Sequence, residues 1–167
     1  MRSRMNLAML LAIVVPSAFA GGLCDITAMV GGAFDPETGT FVDGAYDVLL
    51  GAHGAIAEAL AADSALAPGE LEGLVALDCM VSYNLGCLSA LAGDAEEAFL
   101  WLGNAVESGY PDPEWMAQDP DLASLTGDAR FQELLDGALV NRQALPAEAC
   151  GGTCGADGGC CGTGNCQ

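Results

Sequence analysis

Cysteine is the residue type in this chain with the widest range of possible chemistry, and eight cysteines occur in 167 residues. Five of them lie in a glycine-rich stretch at the C-terminus. Such thiols can form disulfides, bind a soft metal ion or exchange electrons. Cys-x-x-Cys pairs are absent, which argues against a zinc site and against a thioredoxin-like centre. The candidates for a disulfide or reactive thiol are Cys24, Cys79, Cys150, Cys154, Cys160, Cys161 and Cys166.

A disulfide knot is the first prediction for this tail, because an even number of cysteines in an exported chain is typical of disulfides. Two alternatives stay open. One is a thiolate metal site, and the other is a tail that is disordered, modified or crosslinked. Five is an odd number, so a fully oxidised tail needs Cys24, Cys79 or Cys87 as a partner, or leaves one thiol free. The metal alternative uses Cys150, Cys154, Cys160, Cys161 and Cys166.

Cys79 and Cys87 are predicted to share a helix. Eight residues at a rise of about 1.5 Å each separate them by about 12 Å, whereas a disulfide needs Cα atoms within about 7 Å. They therefore cannot pair with each other. Cys87 follows Gly86 in an apolar run, and we expect it to be a packed free thiol.

We identify no other pattern of catalytic residues in the sequence. His53 is the single histidine, and no nucleophile or orienting partner can be assigned to it. Neighbouring carboxylates, such as Glu96 with Glu97 or Asp119 with Asp121, are better explained as helix caps than as a glycosidase pair. We predict that the protein is not an enzyme and that it needs no cofactor.

The first twenty residues are typical of a secretory signal peptide. Arg2 and Arg4 precede an apolar run from Leu7 to Val15, and small residues at Ala18 and Ala20 suit cleavage after Ala20. The predicted location is therefore periplasmic or secreted. No later stretch is expected to reach the length of about 20 apolar residues that a membrane helix needs.

The charge balance is strongly acidic. The chain carries 23 acidic residues and a net charge of −19, and beyond the predicted signal only Arg130 and Arg142 are cationic. Such a surface repels nucleic acid and anionic membranes. It would attract a basic partner or divalent cations, or it could serve solubility alone.

Apolar periodicity predicts an all-α fold of antiparallel helix pairs. Residues 21–44 are rich in glycine and turn residues and predict a loosely ordered lead-in. A helical domain follows over 45–147, with a first helix over 45–62, and residues 148–167 form a separate Gly/Cys-rich tail. Pro68 suits the first turn of a helix.

Capping signals divide the rest of this domain. Gly93 stops one helix, and Asp94 with Glu97 predicts a capping box for the next, which ends at Gly109. Two helices joined by two residues must fold back on each other. Two Asp-Pro turns follow, and a last helix is predicted over 129–140. Its predicted apolar face consists of Phe131, Leu134, Leu135 and Leu139.

Tyr83-Asn84-Leu85-Gly86, then Gly93-Asp94, then Ala98, Leu102 and Ala105 resemble one tetratricopeptide repeat, a paired-helix unit of about 34 residues. Ser82 and Ser89 stand where the family usually has aromatic residues. The stretch from Gly109-Tyr110-Pro111-Asp112 to Leu135 is similar to the segment that closes many bacterial members. The resemblance covers Val81 to Leu135, and it implies a scaffold that binds a protein or peptide.

Overall fold

Helices dominate the computed structural model, which describes residues 23–62, 66 and 68–145. Within these residues there is no β-strand, and the β-type pairing consists of an isolated antiparallel bridge between Phe34 and Phe41. The predicted all-α fold class is therefore confirmed. The predicted signal peptide, its cleavage site and the five tail cysteines lie outside the described residues.

Six α-helices and one 3₁₀ helix make up the described chain. They are α1 Leu23–Gly31, α2 Ala45–Ala61, α3 Pro68–Ala92, α4 Ala95–Glu107, α5 Pro113–Gln118, the 3₁₀ helix Pro120–Leu125 and α6 Ala129–Ala144. The chain divides into two compact units, and the division falls after Leu74, inside α3.

The first unit contains a helix where the sequence predicts only a loosely ordered lead-in. α1 packs on α2 and buries Ile26 and Val30. The turn after it is also built from specific contacts, since the Asp35 carboxylate accepts hydrogen bonds from the backbone N–H groups of Glu37 and Thr38, both at 2.9 Å. The prediction for 21–44 is wrong from Leu23 onward, because Ile26 and Val30 are four residues apart and give this segment a buried helical face.

α2 agrees with its prediction to within one residue. It runs from Ala45 to Ala61 and buries Leu49, Ala52 and Ile56, which recur at helical spacing. Gly51 and Gly54 lie inside this helix and do not break it.

α3 is a single helix of 25 residues that begins at Pro68, as predicted. Between residues 81 and 90 almost every side chain is buried, so this part is surrounded on several sides. By length and composition, Gly69–Ala92 would also qualify as a membrane span, contrary to the sequence expectation that no such stretch follows the N-terminus. More than half of an 18-residue window within that stretch is buried within the protein, and core helices pass the same criteria.

The turn between α3 and α4 lies at Gly93 and Asp94, as predicted. Gly93 adopts a φ of 82°, a left-handed conformation that glycine tolerates best. Asp94 caps α4, because its carboxylate accepts from the backbone N–H of Glu97 at 3.1 Å. The Asp94 N–H donates to the Ser89 carbonyl oxygen at 2.9 Å.

Both Asp-Pro turns also form as predicted. Asp112 accepts from the Trp115 N–H at 2.9 Å and starts α5. Asp119 accepts from the Asp121 N–H at 3.0 Å and starts the 3₁₀ helix. In each case the proline takes a first helical position, where its missing N–H has no bond to lose.

α6 differs from its prediction in length and in the face that it buries. It continues to Ala144, and its inner row is Phe131, Leu134 and Ala138. Leu135 is only half-buried, and Leu139 is 38% exposed. The reason is a close contact with α4 at Gly137, where an added Cβ would lie 2.6 Å from a Val106 methyl carbon. Ala138, next to this contact, is fully buried, whereas Leu135 and Leu139 are only partly covered.

Candidate functional site

The structure places the cysteines in two different environments. Cys24 is exposed in the first turn of α1, whereas Cys79 and Cys87 are buried on α3. All three are free thiols. The predictions that Cys79 and Cys87 share a helix and that Cys87 is a packed free thiol are confirmed. Within the described residues, neither Cys24 nor Cys79 forms a disulfide.

Cys79 has the environment of an inert thiol. Its Sγ lies 3.5 Å from the carbonyl oxygen of Ala105, to which it can donate a weak hydrogen bond. Burial, with a smaller contribution from the neighbouring Asp78 carboxylate, raises the pKa of Cys79 to about 11. The thiol is therefore protonated at neutral pH and is a poor nucleophile or metal ligand.

Cys87 belongs to a polar cluster centred on Asp119. Tyr83, one helical turn before Cys87, donates its hydroxyl to Asp119 Oδ2 at 2.7 Å, and Cys87 Sγ lies 3.8 Å from the same oxygen. Burial and then the carboxylates of Asp119 and Asp121 raise the pKa of Cys87, so its thiol stays protonated. Tyr110 stacks on the Tyr83 ring with the centroids 4.5 Å apart.

Donor atoms of Cys87, Asp119 and Asp121 lie within 4.8 Å of one another, a spacing that could hold a metal ion. The local bonding nevertheless describes a structural network. Asp119 uses Oδ1 to accept from the Asp121 N–H and Oδ2 to accept from Tyr83. A cation would have to displace these donors and also remove the thiol proton. The cluster ties the start of the 3₁₀ helix to the middle of α3.

Sequence reasoning assigned Asp119 a capping role and missed its second role at α3. The available signal was the spacing of Tyr83 and Cys87, which places both on one side of a helix. The sequence does not indicate that these two side chains contact Asp119, which lies more than thirty positions further along the chain.

Most of the tryptophans and tyrosines of the second unit are buried or half-buried. Trp101 and Tyr83 are buried, and Tyr110 is half-buried. Trp115 is the exception, because it is 60% exposed on α5. α5 has six residues and contributes its inner face through Pro113 and Met116, which leaves Trp115 on the outer side. His53 lies half-buried on α2.

An apolar groove lies between α5 and α6. Its volume is about 230 Å³. Four of the seven lining residues are apolar, and two carry carboxylates. The lining residues are Pro113, Glu114, Ala117, Gln132, Leu135, Asp136 and Leu139. Sequence reasoning missed this groove because it assigned Leu135 and Leu139 to the core.

Both arginines of the second unit are engaged by carboxylates. Arg130 pairs with Asp128 at 2.8 Å and with Glu96 at 3.0 Å, and it also lies 4.1 Å above the ring of Phe99. Arg142 forms a two-bonded pair with Glu114. Residues 75–145 carry twelve carboxylates against these two cations. The described surface of this unit is therefore strongly anionic and offers no unpaired cation.

No family model matches this chain, and neither a curated protein nor a solved structure does so.

Proposed function

We propose that this protein is an exported helical module that binds a protein partner, and that the partner carries a basic segment. The observation that supports this best is the anionic second unit, in which both cations are already paired and an apolar groove remains open. Protein-binding surfaces combine an apolar centre with charged groups that select the partner.

The binding scaffold in this proposal is an antiparallel pair formed by α4 and the second half of α3, as in a tetratricopeptide repeat. Three contacts support the antiparallel direction. Asp94 bonds to Ser89 at the turn, Leu102 lies against Gly86 further along, and Ala105 meets Cys79 furthest from the turn. Residues further along α4 thus contact residues earlier in α3, which is the arrangement of an antiparallel pair. α5, the 3₁₀ helix and α6 then close the pair, as the closing segment does in that family.

Gly86 supplies the close approach that this pairing needs. A Cβ at this position would lie 2.7 Å from Leu102 Cγ, inside the distance that atoms tolerate. Because Leu102 is fully buried, it has little room to move away.

An enzymatic role has less support than binding. The two thiols on α3 are protonated through burial, and the carboxylates around Asp119 are engaged in capping. Neither group is available as a nucleophile or a general base.

A peptide library displayed on phage tests the binding function. Selection on the full-length protein at physiological salt should enrich basic peptides that also contain aliphatic residues, because attraction alone is screened over about 8 Å at that ionic strength. A parallel selection at high salt should retain fewer of them. A selection that enriches no sequence class, or that enriches acidic peptides, would contradict the proposed function.

A second candidate is a cysteine-based metal-binding or thiol-redox function of the C-terminal tail. The exposure of Cys24 favours it, because burial removes Cys79 and Cys87 from thiol chemistry and leaves Cys24 with the five tail cysteines. Six is an even number, so three disulfides or one multi-thiolate site could use all of them.

The intact mass of the exported protein distinguishes the two forms of this candidate. Three disulfides lower the mass by six hydrogen atoms relative to the reduced chain, whereas a metal adds its own mass until a chelator removes it. Six freely alkylated thiols with no bound metal would contradict both forms.

A further inference from the structure

The apolar groove between α5 and α6 has the dimensions of a site for side chains. Small-molecule pockets generally enclose about 300–1,000 Å³, and this groove of about 230 Å³ is smaller. Its walls come from two helices, at positions 113, 114 and 117 of α5 and positions 132, 135, 136 and 139 of α6. The four α6 positions follow helical spacing, so they form one continuous stripe.

This stripe is additional to the face that holds α6 in the fold. Phe131, Leu134 and Ala138 are buried and anchor the helix. Leu135 and Leu139 form a second apolar row that the core covers only in part, with Leu135 half-buried and Leu139 38% exposed. An apolar row left in water loses the free energy that burial would contribute, about 25 cal/mol for each Å². A ligand that covers the row would recover it.

The charges at the groove decide which ligand fits. Asp136 lies in the lining and accepts a hydrogen bond from the neutral amide of Gln132 at 2.9 Å. Glu114, on the opposite wall, already pairs with Arg142. Asp136 therefore presents a carboxylate that no arginine of the described residues neutralises, and residues 75–145 carry twelve carboxylates and two cations. An acidic ligand would be repelled there.

We propose that this groove binds a peptide segment in which an aliphatic side chain is flanked by lysine or arginine. The aliphatic side chain lies against Ala117, Leu135 and Leu139, and the cation lies beside Asp136. Because the stripe follows the axis of α6, the segment runs along that helix. This inference rests on the binding function proposed above and names the site and the chemistry of its ligand.

Fluorescence anisotropy with a labelled peptide of alternating lysine and leucine tests the site. Leu139→Ser should weaken binding by at least about fivefold, because it removes most of the exposed apolar row. Asp136→Asn should weaken it by about two- to fivefold, since an exposed ion pair contributes little. Peptides with serine in place of leucine, or glutamate in place of lysine, should bind more weakly still.

Two matched variants control for general effects. Leu100→Ser changes a leucine on α4 that is 61% exposed and outside the groove. Glu133→Gln removes one exposed carboxylate from α6 without altering the lining. Both should bind the peptide as the unchanged protein does. If Leu139→Ser melts at a lower temperature, Leu139→Ala replaces it.

The outcomes separate this inference from the proposed function. If the protein binds the peptide and all four variants bind it equally, the groove assignment is wrong and the binding function stands. If the unchanged protein binds no basic peptide, both are wrong. If Leu139→Ser abolishes self-association while no peptide binds, the groove belongs to a second copy of the chain and the inference is overturned.

Discussion

Two neighbouring hydroxyl groups on α3 have opposite environments. Tyr83 donates to Asp119 at 2.7 Å, whereas the hydroxyl of Ser82 is fully buried and has no hydrogen-bond partner among the described residues. The hydroxyl of Ser89, seven residues further along α3, is likewise buried without a hydrogen-bond partner among the described residues. A buried polar group without a partner costs about 1–3 kcal/mol, so α3 carries polar atoms that weaken the fold beside one that strengthens it.

Removing each hydroxyl should therefore have opposite effects on stability. Tyr83→Phe should lower the free energy of unfolding by about 1–3 kcal/mol, because a hydrogen bond to a charged group is lost. Ser82→Ala should leave it unchanged or raise it by up to about 1 kcal/mol. Chemical denaturation of both variants is the measurement. A loss in Ser82→Ala as large as that in Tyr83→Phe would mean that the serine has a partner.

Thiol reactivity provides a second test at the level of residues. In the reduced, folded protein at mildly alkaline pH, iodoacetamide should modify Cys24 and leave Cys79 and Cys87 unmodified. Cys24 is exposed, whereas burial protects the other two and raises the pKa of Cys79 to about 11. Mass spectrometry of proteolytic peptides reports each site. Denaturation before labelling is the control, and all three should then react; labelling of Cys87 in the folded protein would contradict the cluster around Asp119.

At the level of elements, the sequence predicts helix ends better than buried faces. Caps at Asp94, Asp112 and Asp119 are local, because each side chain bonds to a backbone N–H two or three residues away. The inner face of α6 depends instead on where α4 approaches, through Val106 and Gly137, and no local pattern records that contact. For the same reason the groove could not be predicted, since it is formed by the residues that the approach leaves outside.

The cap at Asp94 should contribute measurably to stability. Asp94→Ala removes the acceptor for the Glu97 N–H and should lower the free energy of unfolding by about 0.5–2 kcal/mol. Asp94→Asn is the matched control, because an asparagine oxygen can accept the same bond and should restore most of the loss. An unchanged unfolding curve for Asp94→Ala would refute the cap.

Two glycines on facing helices test the α3–α4 pairing. Gly86→Ala should destabilise the protein by about 1–3 kcal/mol, because the new Cβ would overlap the buried Leu102 side chain. Gly103→Ala, in α4, meets nothing within 4 Å and should stabilise by up to about 1 kcal/mol through helix propensity. The melting temperatures of both variants are the measurement. Equal effects of the two substitutions would contradict the close approach at Gly86.

At the scale of the whole molecule, a net charge of −19 opposes folding through repulsion among the carboxylates. Added salt screens that repulsion over about 10 Å at 0.1 M. Sodium chloride should therefore raise the melting temperature at pH 7. The same salt series near pH 4.1, the isoelectric point, is the control, because the net charge is then close to zero. A melting temperature that does not change with salt at pH 7 would show that the charges are too dispersed to matter.

The same anionic surface is the basis of the proposed binding function. Hydrogen–deuterium exchange of the full chain with the lysine–leucine peptide tests that proposal most directly. We expect slower exchange in α5 and α6, residues 113–118 and 129–144, with little change in α1 and α2. Unchanged exchange throughout the helices at saturating peptide would contradict it. Protection confined to residues 146–167 would also contradict it, and would transfer the function to the cysteine-rich tail.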